Sequence, residues 1–214
     1  PPPKSGGLPL TGITDQLSAA NTIALTHTST HRLNTANGAW GQSAFTYDAV
    51  GNKLIDNNTV SSVLTARTAS YPASSNRITA ISQNGSGWRD YLHDGAGNIT
   101  NDDRPGEAFV FTYNNRNRPV SVTRNTVAYA TYGYNALQQM VTRSTSAAGG
   151  PSGTVHYIYD LDGRLIAEAD GSAATPTITR DYIWQADNDN TPVDLPLAVV
   201  DIVSTTHTLS HVHA

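Results

Sequence analysis

Three histidines near the end of the sequence are the first residues whose spacing suggests chemistry. His207, His211 and His213 share parity, so on an extended strand their imidazoles project from one face. Three such rings could hold a transition metal. At strand rise His207 lies about 13 Å from His211, and no Cys or carboxylate nearby completes a ligand set. Ordinary strand residues are the better reading. Asp48, Asp94 and Asp160 raise a second idea, acid–base work or calcium binding. Each occupies the same place in a recurring motif, whereas a catalytic pair would occur once. Asp187, Asp189 and Asp194, with Asn188 and Asn190 among them, loosely echo an alternating calcium loop. They lack its glycine and its closing glutamate, which favours a solvated loop. Ser, His and Asp are plentiful, but no Gly-x-Ser-x-Gly elbow is present. Gly95-Ala96-Gly97 is too short for a dinucleotide fingerprint. The expectation is a chain with no catalytic centre, no metal and no cofactor.

The elements that carry these residues repeat. Phe45-Thr46-Tyr47-Asp48-Ala49-Val50-Gly51-Asn52-Lys53-Leu54 returns as Tyr157-Ile158-Tyr159-Asp160-Leu161-Asp162-Gly163-Arg164-Leu165. Tyr91-Leu92-His93-Asp94-Gly95-Ala96-Gly97-Asn98-Ile99 is a third copy, with His at the aromatic place. Weaker copies start at Tyr113 and Tyr134. Taking Leu10, Leu33, Leu54, Ile78, Ile99, Pro119, Met140 and Leu165 as the apolar residue that closes each copy gives intervals of 20 to 25 residues. Before each turn the aromatics alternate, as in Phe45 and Tyr47, or Tyr157 and Tyr159, so one strand face bears them. The Asp or Asn accepts backbone N–H bonds from the residues that follow it. A glycine three places on, Gly51, Gly97 or Gly163, supplies the positive φ of a tight reversal. Two short strands and two turns fill such a period, and a single hairpin would be marginal alone. The pattern predicts an all-β, elongated antiparallel ribbon of successive hairpins, each lending an edge to the next. Tyr113, Tyr134 and Trp184 join Phe45, Tyr47, Tyr157 and Tyr159 in the expected aromatic ladder, which reads as cross-strand packing more readily than as sugar stacking. Ile13, Leu17, Ala20 and Ala24, with Asp15 as a cap, carry a helical spacing, while the repeat phase predicts strands there.

Composition agrees. Apolar residues make up 38% and charged residues 14%; 27 Thr, 17 Asn and 17 Gly fill the difference, a bias towards strands and turns. A net charge of −4 gives no electrostatic reason to expect nucleic acid. Absence of Cys removes disulfide and thiol chemistry. No apolar run approaches the length of a membrane span. A start on Pro1-Pro2-Pro3 instead of Met reads as a fragment or a processed product.

With these Tyr-Asp-x-x-Gly-Asn/Arg copies, residues 10–214 resemble the RHS (YD-repeat) family. The tail adds to the likeness: Asp181-Tyr182-Ile183-Trp184, then Leu195-Pro196-Leu197-Ala198-Val199-Val200-Asp201, then His211-Val212-His213, similar to the opening of the RHS-associated core. An insertion from Gln185 to Asp194 departs from that pattern. The resemblance implies a Pro/Gly-rich segment at 1–9, a repeat array at 10–181 and a partial core segment at 182–214. It further implies a secreted or surface-exposed bacterial shell that encloses a C-terminal effector. The partners would be the rest of the parent chain and that effector or, in a fibre or adhesive surface protein, identical copies joined through β-edges. No effector and no autoproteolytic Asp can be identified in the chain.

Overall fold

A computed structural model describes residues 9–147, 152–185 and 195–212. The chain divides into two compact bodies, residues 1–106 and 107–214. Among the described residues both are built of β-strands, and the only helical element in the strand order is a short 3-10 turn, Ala19–Asn21. The N-terminal body holds β1 (Gly12–Ile13), β2 (Ile23–His27), β3 (Leu33–Gly38), β4 (Gly41–Tyr47), β5 (Lys53–Val60), β6 (Val63–Ser70), β7 (Ala80–Gln83), β8 (Ser86–His93) and β9 (Ile99–Arg104). The C-terminal body holds β10 (Glu107–Tyr113), β11 (Pro119–Arg124), β12 (Val127–Tyr134), β13 (Met140–Thr145), β14 (Gly153–Tyr159), β15 (Leu165–Asp170), β16 (Thr177–Trp184), β17 (Pro196–Val203) and β18 (Thr206–His211).

Within each body every strand pairs antiparallel with the next one in the chain. The all-β hairpin ribbon expected from the repeat is therefore what the chain forms. Two kinds of reversal alternate. One kind is tight: Ser61-Ser62, Asn84-Gly85 and Asn125-Thr126 all take positive φ between directly paired strand ends, the mirror-image turn whose twist suits a hairpin. The other kind is the longer Asp/Asn turn.

Of the residues at helical spacing, Ile13 and Ala24 lie on strands, Leu17 in a loop and Ala20 in the 3-10 turn. Ile13 pairs with Ile23 and Gly12 with Ala24, and Asp15 bonds the backbone N–H groups of Leu17 and Ser18 in a loop instead of capping a helix. Helical periodicity alone buries too little here to compete with an adjacent strand edge.

Neither body has a thick core. The residues buried outright are small, Ala36 and Asp102 in the first, and Val122, Ala130, Ala167, Ala169 and Ala198 in the second. Large side chains are covered only partly, by their neighbours on the same sheet face. Stability of this kind is a sum of contacts between adjacent hairpins.

Candidate functional site

The turns come first, because they set the register of everything else. Asp48 Oδ1 accepts the backbone N–H groups of Val50 (3.1 Å), Gly51 (2.7 Å) and Asn52 (2.8 Å), and its other oxygen accepts the Asn52 side chain at 2.7 Å. Asp160 bonds the N–H groups of Asp162 and Arg164, and Asp94 those of Asn98 in the same manner. Asn114 and Asn135 do likewise with their amide oxygens, and Thr28 with its hydroxyl. In all six turns the backbone repeats one pattern: the first residue's N–H meets the carbonyl four places on, and its carbonyl meets the N–H three places on. Desolvation would raise the Asp48 carboxyl, but the side chain and backbone of Asn52, with Gly51 and Val50, hold it below its ordinary value. For Asp94 the Asn98 side chain leads in the same direction.

The fourth residue of each turn takes positive φ. Where it is glycine the angle is wide, 105° at Gly51, 97° at Gly97 and 90° at Gly163; where it is His31, Asn117 or Gln138 the angle is 61°, 59° or 66°. Space explains part of the choice. A Cβ on Gly51 would lie 2.5 Å from the Arg32 guanidinium, and one on Gly97 2.9 Å from that of Arg77. Those arginines belong to the preceding turn and donate to the carbonyls of Asp48 (3.2 Å) and Asp94 (3.1 Å). Successive turns in the N-terminal body are thereby stacked side to side.

Immediately before each of the six turns the pairing slips by one residue, at His27, Tyr47, His93, Tyr113, Tyr134 and Tyr159, and it slips again at Trp184. The bulge re-aims the ring. Tyr47 then donates its hydroxyl to the Leu33 carbonyl, Tyr134 to that of Pro119 and Tyr159 to that of Met140, each at 2.9 Å. Tyr71 reaches Lys53 at 3.3 Å, and Trp184 uses its indole N–H on Leu165 at 2.8 Å. In every case the acceptor is the first residue of the outgoing strand of the hairpin before. Burial pushes the Tyr134 and Tyr159 hydroxyls above the ordinary phenol value, so they remain donors. The acceptor at Lys53 corrects the repeat register: Lys53, opposite Tyr47, is the equivalent of Leu33 and Leu165, and Leu54 is the bulged residue beside it.

The rings share their face with the charges. In the N-terminal body Asp102 is 6% exposed and lies between Arg89, which grips both its oxygens at 2.9 and 2.5 Å, and Arg104 at 2.7 Å. Desolvation works against the carboxylate, yet the two guanidinium groups hold it at about 2. Lys53 bonds Asp56 at 2.7 Å, and the Arg67 guanidinium lies 4.7 Å over the Trp88 ring. In the C-terminal body Arg180 bonds Asp201 at 2.6 Å, and Tyr182 donates to Glu168 at 2.5 Å. Phe109 and Tyr129 meet edge to face with centroids 5.6 Å apart.

Phe45, Tyr47, Tyr113, Tyr134, Tyr157, Tyr159 and Trp184 are all half-buried strand residues. His207 and His211 stand on β18 opposite Ile202 and Ala198, on one side of the sheet and exposed. Among the described residues no group of three His, Asp or Glu side chains is placed to hold a metal. His213, Asp187, Asp189 and Asp194, and residues 1–8 of the N-terminal segment, lie outside the described residues. Two features escaped the sequence reading. The Asp102 cluster is scattered over two strands, so only the pairing of Tyr91 with Asp102 reveals it. Trp184 ends a further copy of the repeat, which a Trp in the Tyr place and the insertion after it concealed.

No protein-family model matches the chain, and no curated protein matches it. Its fold has counterparts among solved structures. The crystal structure of TcdB2-TccC3-Cdc42 gives a TM-score of 0.56 at 14% identity, over 75% of this chain and 10% of that one. The crystal structure of TcdB2-TccC3 gives 0.54 at 12% identity, over 88% of this chain and 14% of that one. This chain thus spans only a small part of the chains it matches, and at such identity the likeness is one of fold alone.

Proposed function

We propose that the chain is a non-catalytic scaffold, a stretch of RHS-type shell whose hairpins enclose or present another polypeptide. The observation that carries this reading is the tie that five rings, Tyr47, Tyr71, Tyr134, Tyr159 and Trp184, each make to the hairpin before. Such ties invest the aromatic and polar groups in holding neighbours together instead of converging them on a reacting centre. Likeness in fold to the TcdB2-TccC3 chains supports the same reading. The shell belongs to a secreted or surface-displayed bacterial protein and works with the remainder of its parent chain and an enclosed effector. Neither a cofactor nor nucleic acid takes part. No helix among the described residues is long and apolar enough to cross a membrane.

Limited proteolysis of the intact natural protein tests this. A segment resistant to protease in the intact particle, and digested once the array is unfolded, is the expected result; equal digestion in both states refutes enclosure. Assembly of identical copies through sheet edges is the second reading. It is favoured by β18, which is exposed at every residue. A regular polymer in which β18 exchanges backbone hydrogen bonds with another copy would select it.

A further inference from the structure

We propose that the depression beside Trp88, on the aromatic face of the N-terminal body, receives a large apolar side chain from an acidic peptide segment. The inference deepens the scaffold reading and rests on it for the idea that a polypeptide is held against the sheet. The depression holds about 190 Å³, room for one large side chain. Ala69 and Ile81 line it together with Tyr71 and the half-buried Trp88, while two cations, Lys53 and Arg67, and one carboxylate, Asp56, border it. Ala69 faces Ile81 directly across β6 and β7, so the smallest side chain of the set is what leaves the space.

Charge selects the partner. On this face strands β5 to β9 carry Lys53, Arg67, Arg89 and Arg104 against only Asp56 and Asp102, whereas the opposite face of the same strands carries Asp90 and Asp103 and no cation. A chain with a net charge of −4 has thus gathered an excess of positive charge around its apolar depression. Arg67 stands opposite Asp56, whose carboxylate is bonded by Lys53, while its own Nε donates to Gln83 at 3.0 Å, which fixes the guanidinium over Trp88 with no salt bridge of its own among the described residues. An apolar side chain flanked by carboxylates satisfies both features, burying its body against Trp88 and setting its charges by Arg67 and Lys53. A neutral sugar leaves the cations unused. A nucleic acid requires a longer basic track than this face offers.

The test uses the whole chain and a labelled nine-residue peptide of alternating Glu and Thr with one central Phe. Two control peptides replace that Phe by Ser, or every Glu by Gln. Expected is saturable binding that falls by about tenfold or more for either control. Ala69→Met, which fills the depression without altering charge, and Arg67→Glu should each weaken the parent peptide by a similar factor, with circular dichroism unchanged. Equal binding of all three peptides, undiminished binding to both protein variants, or no binding at millimolar peptide overturns the proposal. Displacement by a neutral oligosaccharide overturns it too. Protease protection is read on the intact natural particle and this titration on the chain itself, so the scaffold reading and the peptide site fail separately.

Discussion

Trp184 donates its indole N–H to the Leu165 carbonyl at 2.8 Å, the same tie that Tyr159 makes to Met140 one hairpin earlier. Two different rings, one phenol and one indole, reach the same backbone position. What the place demands is a flat apolar body with a donor at its far end.

Removing only the donor should therefore show. Tyr47→Phe, Tyr134→Phe and Tyr159→Phe keep the ring and lose the bond, at an expected cost of about 0.5–1.5 kcal/mol each. Urea unfolding of the purified variants measures it, and midpoints equal to wild type would mean the ties contribute nothing.

Glycine at the fourth turn position answers both to φ and to the arginine beside it. Gly51→Ala and Gly51→Val should destabilise by roughly 1–3 kcal/mol. Gly85→Ala should cost less, because Gly85 also has positive φ but nothing within 4 Å of an added Cβ. Thermal melts of the pair would decide; equal losses would assign the whole effect to backbone strain.

Asn114 and Asn135 occupy the place that Asp160 holds, and they make the same bonds from an amide oxygen. Asp160→Asn should accordingly be close to neutral, while Asp160→Ala should lose about 1 kcal/mol, the usual worth of a side-chain cap on backbone donors. A larger loss for Asn than for Ala would show that the negative charge, and not the acceptor geometry, is what the turn uses.

Acid should find Asp102. Its carboxyl sits at about 2 in the folded chain, below the ordinary aspartate value, so folding depresses it. The stabilisation is complete above the unfolded value, near pH 4 to 5, and is lost as pH falls through 2, on the order of 2 kcal/mol in all. Unfolding measured from pH 6 to pH 2 should steepen below pH 4 in wild type and flatten in Asp102→Asn. A slope that survives the substitution would place the acid sensitivity elsewhere.

Much of this architecture is legible in the residues. Alternation at Phe45 and Tyr47, the Asp-to-Gly spacing and the period of twenty-odd residues specify hairpins because each rule acts over a few neighbours in sequence. Register is harder to read. Leu54 looks like the residue that closes its copy because it is apolar, yet the bulge hands that place to Lys53, whose ammonium bonds Asp56 and rests 5.4 Å over the Phe45 ring. The fold of the chain near Asp15 follows the strand partner available to Ile13, which spacing within the segment cannot express. Arg89, Asp102 and Arg104 come together only after two strands are laid side by side.

Because each of the five tied rings is fastened to the hairpin just behind it, whole hairpins are interchangeable parts. Excising one and rejoining its neighbours at equivalent residues leaves every remaining fastening with an acceptor, and so does splicing in another. Length in such an array is a quantity that duplication and deletion can adjust by steps, without a new sequence solution for the junction.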